Sequence, residues 1–153
     1  MDRRRLLLSA AGAVAALVAP AFAKPAAPLA IKVYKDPSCG CCEAWVEHLK
    51  TAGFATTVEE RDDLTELKER LGVPNDLASC HTGVINGYAI EGHVPAADIK
   101  RLVKMRAKGK GLAVPGMPVN SPGMEMAGAP NQRYTVWLFQ KNGKRRAFAK
   151  HGA

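Results

Sequence analysis

Past residue 30 the chain alternates short runs of strand and helix period. Ile31-Lys32-Val33-Tyr34 alternates apolar and polar, and a first strand is predicted over Ile31 to Lys35. Next, Ala44/Trp45, Leu49 and Ala52 recur at near-helical spacing, predicting a helix from Cys41 to about Ala52, closed by Gly53. The β-branched run Phe54 to Glu60 reads as a second strand. Asp62-Asp63 precedes a short helix with Leu64, Leu67 and Leu71 on one face and Gly72 at its end. Val73 to Asp76 is a turn, followed by Leu77 to Thr82. Gly83 to His93 reads as a hairpin turning on Asn86-Gly87. Pro95 opens a third helix, Ala96 to about Ala107, with Ile99, Leu102, Val103 and Arg106 as its core-facing stripe. Gly109 to Pro130 is a long Gly/Pro/Met segment without periodicity, and a loop of that length is usually functional or mobile. Tyr134 to Phe139 and Arg146 to Ala149, joined by Asn142-Gly143, close the chain as a second hairpin. There is no internal repeat.

The order βαβαββα is that of the thioredoxin and glutaredoxin folds. The expected fold class is therefore α/β, thioredoxin-like, with a glutaredoxin-like βαβαββα core and a C-terminal β-hairpin. Ahead of it, Arg3-Arg4-Arg5, a small-apolar run from Leu6 to Ala19 and Ala21-Phe22-Ala23 form the three parts of a secretory signal peptide. The run is short for a membrane span, and the arginines before Leu6-Leu7 loosely resemble a twin-arginine export signal. The expected organisation is residues 1–23 signal peptide, 24–30 a Pro/Ala linker, and 31–153 one thioredoxin-like domain. Removing residues 1–23, with three arginines and one aspartate, lowers the formal net charge from +8 to +6. The basic residues are dispersed and not interleaved with aromatics, so the charge reads as solubility, and no nucleic-acid partner is expected.

The chemistry concentrates in Asp36-Pro37-Ser38-Cys39-Gly40-Cys41-Cys42, which holds three of the four cysteines. These thiols fall on a strand-to-helix turn, with Cys39 and Cys42 spaced as a CxxC pair. A helix N-terminus favours anions and so lowers a thiol pKa, which suits both metal binding and disulfide exchange. In a glutaredoxin-like fold the loop before the third strand faces that turn. Cys80-His81 occupies this loop, with His81 about where a cis-proline would stand, so both are expected to converge on Cys39, Cys41 and Cys42. Four cysteines, a histidine and nearby methionines form a soft donor set suited to Cu(I), and less decisively to Zn(II). Adjacent Cys41 and Cys42 could join a thiolate-bridged cluster. Met117, Met124 and Met126 sit on proline-stiffened turns, as candidate thioether ligands or as core seals.

Two other uses stay open. A disulfide oxidoreductase would employ Cys39 and Cys42, though Cys41 would offer competing bridges. Two structural disulfides would also use an even cysteine count, though adjacent Cys41 and Cys42 make that awkward. His48 reads as surface or core packing, and His93 as either a supporting partner of the site or a turn residue. His151 lies near the terminus, where order is commonly lost, and Trp45 and Trp137 read as core aromatics.

Asp36-Pro37-Ser38-Cys39-Gly40-Cys41-Cys42 with Trp45, Ser79-Cys80-His81-Thr82, Gly92-His93-Val94-Pro95, Val114-Pro115-Gly116-Met117-Pro118 and Ser121-Pro122-Gly123-Met124 together resemble the CopG-type periplasmic copper-resistance proteins. The resemblance covers nearly the whole chain after the signal. It implies a thioredoxin-like fold, a periplasmic location and a cysteine-bridged cluster of more than one copper ion, held as Cu(I). It also implies a role in copper tolerance through interconversion of Cu(I) and Cu(II). By motif matching, Cys39, Cys41, Cys42, Cys80 and His81 would be the copper-site residues. Expected partners are copper ions and other periplasmic copper-handling proteins, with no stable membrane insertion once the signal is removed.

Overall fold

The computed structural model describes residues 27–152. The predicted signal peptide and the first three residues of the predicted linker, 24–26, lie outside the described residues. Elements follow in the order β1 (Ala30–Lys35), α1 (Gly40–Thr51), β2 (Ala55–Glu60), α2 (Thr65–Leu71), a 3-10 turn (Asn75–Leu77), β3 (His81–Ile85), β4 (Tyr88–Gly92), α3 (Ala96–Met105), β5 (Gly111–Val114), β6 (Tyr134–Phe139) and β7 (Arg145–His151). The strands form one mixed seven-stranded sheet, ordered β2-β1-β3-β4-β5-β6-β7. β1 pairs parallel with β2 and antiparallel with β3, and β4 runs antiparallel to β3. Residue parity within the strands divides the core between the two faces. Ile90, Leu112 and Leu138 pack with Trp45, Leu49, Ile99 and Leu102 of α1 and α3, whereas Ala89, Ala113 and Phe139 pack with Val73 and Leu77. Among the described residues no helix is long and apolar enough to cross a membrane.

Two differences from the sequence expectation matter. The segment after Gly109 is not wholly irregular: Gly111–Val114 forms β5, buried throughout, parallel to β4 and antiparallel to β6. Four apolar residues buried on both faces carry no alternation, so periodicity cannot reveal such a strand. α3 also stops earlier than predicted. Arg106 is its C-cap, with φ +47°, and is exposed rather than on the core stripe.

Candidate metal centre

β1 ends at Lys35, and the chain turns through Asp36–Cys39 into α1. The Asp36 carboxylate accepts from the Ser38 N–H at 2.7 Å, and the Cys39 N–H donates back to the Asp36 carbonyl at 3.2 Å. This Asx-type turn sets Cys39 as the N-cap of α1, with Cys41 and Cys42 in the first turn. Cys39 and Cys42 are joined in a disulfide, and Cys42 is fully buried. Cys41 and Cys80 are the free thiols among the described residues, both half-buried.

Cys41 links the two halves of the site. Its Sγ lies 3.4 Å from Cys39 Sγ, 3.9 Å from Cys80 Sγ and 3.9 Å from Met117 Sδ. The four cysteine sulfurs all fall within 4.8 Å of one another. A second group overlaps the first at Cys80: its Sγ lies 3.4 Å from His81 Nδ1 and 3.6 Å from His93 Nε2. The Gly92 carbonyl, which can only accept, lies 3.0 Å from His81 Nε2, and the Pro122 carbonyl lies 2.8 Å from His93 Nδ1. Each bond places the ring proton on the far nitrogen and turns the bare nitrogen toward Cys80. Burial reinforces this by disfavouring the imidazolium. His81 is pushed down to about 3, first by desolvation and then by His93, and desolvation also lowers His93. Both rings are thus neutral lone-pair donors. The Cys80 thiol moves the other way, up to about 11, first through burial and then through Cys41. The low thiol pKa expected of a helix N-terminus therefore does not extend to Cys80, which lies beyond α1, and a metal ion there must displace its proton.

The residues proposed from the sequence, Cys39, Cys41, Cys42, Cys80 and His81, are therefore brought together. Met117 joins them at Cys41 while remaining 54% exposed, so its thioether faces solvent and the site at once. Met124 is half-buried and Met126 exposed, and neither bonds a site thiol among the described residues. His93 belongs to the site more directly than its sequence context suggested. Its signal lay in the Asn86-Gly87 turn: β3 and β4 pair Ile85 with Tyr88 and Thr82 with Glu91, and continuing that register puts Cys80 opposite His93. His48 stands apart and accepts from the Ala96 N–H at 3.1 Å, at the start of α3. His151 is ordered in β7, 2.6 Å from Asp98. Trp45 is fully buried, its indole N–H donating to the Val94 carbonyl at 2.9 Å, whereas Trp137 is only half-buried.

The segment after β5 forms a wall of the site, tied at three places. Ser79 Oγ donates to the Gly116 carbonyl at 3.2 Å, and His93 donates to Pro122. Gly123, at φ +85°, approaches α1 so closely that a Cβ would lie 2.7 Å from the Trp45 nitrogen and 2.9 Å from the Cys41 carbonyl.

Fold and site together define an α/β protein with a thiol-rich, histidine-flanked centre at one end of its sheet. A family model described as a protein of unknown function, DUF411, matches residues 77–124, a stretch that includes Cys80, His81, His93 and Met117. Two solved structures of a copper resistance protein CopG, forms 1 and 2, are each 48% identical to the chain. Form 1 matches over 82% of this chain and 99% of its own with a TM-score of 0.77, and form 2 over 81% and 98% with 0.76. No curated protein matches. The chain belongs to the CopG family of copper-resistance proteins.

Proposed function

We propose that this chain is a periplasmic copper-binding protein of copper resistance, exported by its residues 1–23 and holding Cu(I) in a cysteine-bridged cluster. The observation that carries the reading is the convergence of Cys39, Cys41, Cys42 and Cys80 within 4.8 Å, in a chain 48% identical to a copper resistance protein. The donor chemistry fits: thiolates and a thioether are soft ligands, and two neutral imidazoles add nitrogen donors suited to Cu(II) as well. The strand order β2-β1-β3-β4, with the thiols at the start of α1, supports a thioredoxin-like reading of the core, to which β5–β7 are added. Copper is the cargo, and the cysteine pair offers a way to change its oxidation state. Two Cu(I) ions giving one electron each to the Cys39–Cys42 disulfide would become Cu(II) and leave two thiolates. The reverse reaction re-forms the S–S bond and returns Cu(I).

The disulfide at the start of α1 favours a second reading, a thiol–disulfide oxidoreductase using Cys39 and Cys42. Anaerobic Cu(I) titration of the reduced protein lacking residues 1–23, against a chromophoric Cu(I) chelator, separates the two. Tight uptake of more than one copper per chain is expected. No uptake alongside ready disulfide exchange would make the chain a redox protein and overturn the copper reading.

A further inference from the structure

Behind the thiols lies a buried ion pair that the proposed metal chemistry does not itself use. Glu91, in β4, is fully buried, and its carboxylate is paired with the Lys68 ammonium from α2. The other partners of this pair are the two residues that bracket Cys80-His81. The Glu91 carboxylate accepts from the Ser79 N–H at 2.6 Å and from Thr82 Oγ1 at 2.7 Å. Lys68 donates to the Ser79 carbonyl at 3.0 Å and to Thr82 Oγ1 at 3.0 Å. Both backbone polar groups of Ser79 are thereby taken by side chains. The sheet does not provide this: the β1–β3 ladder stops at Lys35–His81, so Ser79 and Cys80 lie outside it.

A buried pair of this kind is weak evidence for stability, because desolvation costs about as much as the attraction returns. What it supplies is geometry. The same residues connect to the rest of the site. Gly92, next after Glu91, accepts from His81, and the Ser79 hydroxyl holds the Met117 turn through the Gly116 carbonyl. We propose that Lys68 and Glu91 are a positioning pair for the copper site, holding Cys80 and His81 against the Cys39–Cys41–Cys42 turn before any metal arrives. The inference rests on the copper reading, but the geometry it describes belongs to the metal-free protein.

The test compares the reduced wild type with Lys68→Met/Glu91→Leu, which replaces the pair by apolar side chains, and with Thr82→Val, which removes one hydroxyl and keeps strand shape. Glu91→Gln serves as the conservative control, because an amide can still accept from the Ser79 N–H. Three quantities are read on the folded proteins: iodoacetamide labelling of Cys80 resolved by peptide mass, the His81 tautomer by 15N NMR, and Cu(I) affinity by chelator competition. In the double variant Cys80 should label about tenfold faster, His81 should lose its single tautomer, and Cu(I) affinity should fall by about 10–100-fold, as for other groups that orient ligands. Adding Cys80→Ser should then cost little more, whereas in the wild type it should cost the full amount. Thr82→Val should move all three in the same direction by less, and Glu91→Gln should restore most of the wild-type behaviour. Labelling, tautomer and affinity all within about twofold of wild type in the double variant, or in Thr82→Val should the double variant not fold, would overturn the inference. If the wild type takes up no copper, the copper reading falls on its own, and the labelling and tautomer measurements still decide the positioning role.

Discussion

Among single residues, Cys41 separates the competing chemistries most cleanly. It takes no part in the disulfide, yet it is the sulfur that touches Cys39, Cys80 and Met117. Cys41→Ser should weaken Cu(I) binding by more than the roughly 10–100-fold seen when a group that only orients a ligand is lost, while leaving disulfide exchange at Cys39 and Cys42 nearly intact. Chelator competition and a thiol-exchange assay on the same preparation check both halves. Retained affinity with lost exchange would remove the cluster idea. His48 supports a different prediction, about acid. Desolvation lowers its pKa, with the Glu125 carboxylate pulling weakly the other way, and its lone pair accepts from the Ala96 N–H. Above about pH 6.5 the imidazole is neutral in both folded and unfolded chains, and its contribution is fully present. As pH falls below that value the unfolded chain binds the proton first, so stability declines toward the lower folded pKa. His48→Gln keeps an acceptor but cannot titrate. Its melting temperature should fall less between pH 7 and pH 5 than that of the wild type, and equal slopes would remove His48 from the acid response. His81 and His93 are buried neutral as well, so part of the slope should remain in the variant.

At the level of elements, the β3–β4 pair determines how the histidines reach Cys80. Asn86-Gly87 announces a two-residue turn, and such a turn fixes pairing register. With that register extended, Cys80 lies opposite His93 and His81 opposite Gly92, a signal in the turn that the open reading of His93 as supporting partner or turn residue did not use. The joint placement of Cys39, Cys41, Cys42, Cys80 and His81 was legible in the sequence, from the strand-to-helix turn and the loop that faces it. β5 was not, because a short strand buried on both faces has no alternating pattern. Nor was the Lys68–Glu91 pair, since a Lys on a short, highly charged helix and a Glu in a strand look like surface charge until tertiary packing joins them, with Glu91 fully buried and Lys68 partly so. Gly92 gives the element-scale prediction. It sits at φ +72°, and a Cβ there would lie 2.5 Å from the Val114 carbonyl and 2.9 Å from Ser79 Oγ. Gly87 has a similar φ of +81° but open space around it. Gly87→Ala should cost only the left-handed penalty, about 1–2 kcal/mol, whereas Gly92→Ala adds a backbone clash where β4, β5 and the Cys80 loop meet. Urea denaturation of the two variants should show the second clearly less stable. Equal losses would mean that the close approach at Gly92 relaxes freely.

Across the whole molecule, the site is assembled from segments far apart in sequence: the start of α1, the loop before β3, the end of β4, and the wall after β5. The wall is stitched to the others through Ser79–Gly116, His93–Pro122 and the packing of Gly123 on α1. A metal ion held between Cys41, Cys80 and the histidines would join these segments at a point where, without it, each is tied to its neighbours by a few hydrogen bonds. Anything that binds the folded state alone stabilises whatever must open to release it. Hydrogen exchange of the reduced protein with and without Cu(I) should therefore slow together at residues 39–43, 79–82, 92–94 and 116–124. The outer pair β6–β7 shares no residue with the site, and its exchange by local fraying should change little. Protection confined to residues 39–43 would mean that the cysteines of the first turn hold copper alone. Cys80 and the histidines would then be structural, and a centre built across the fold would be refuted.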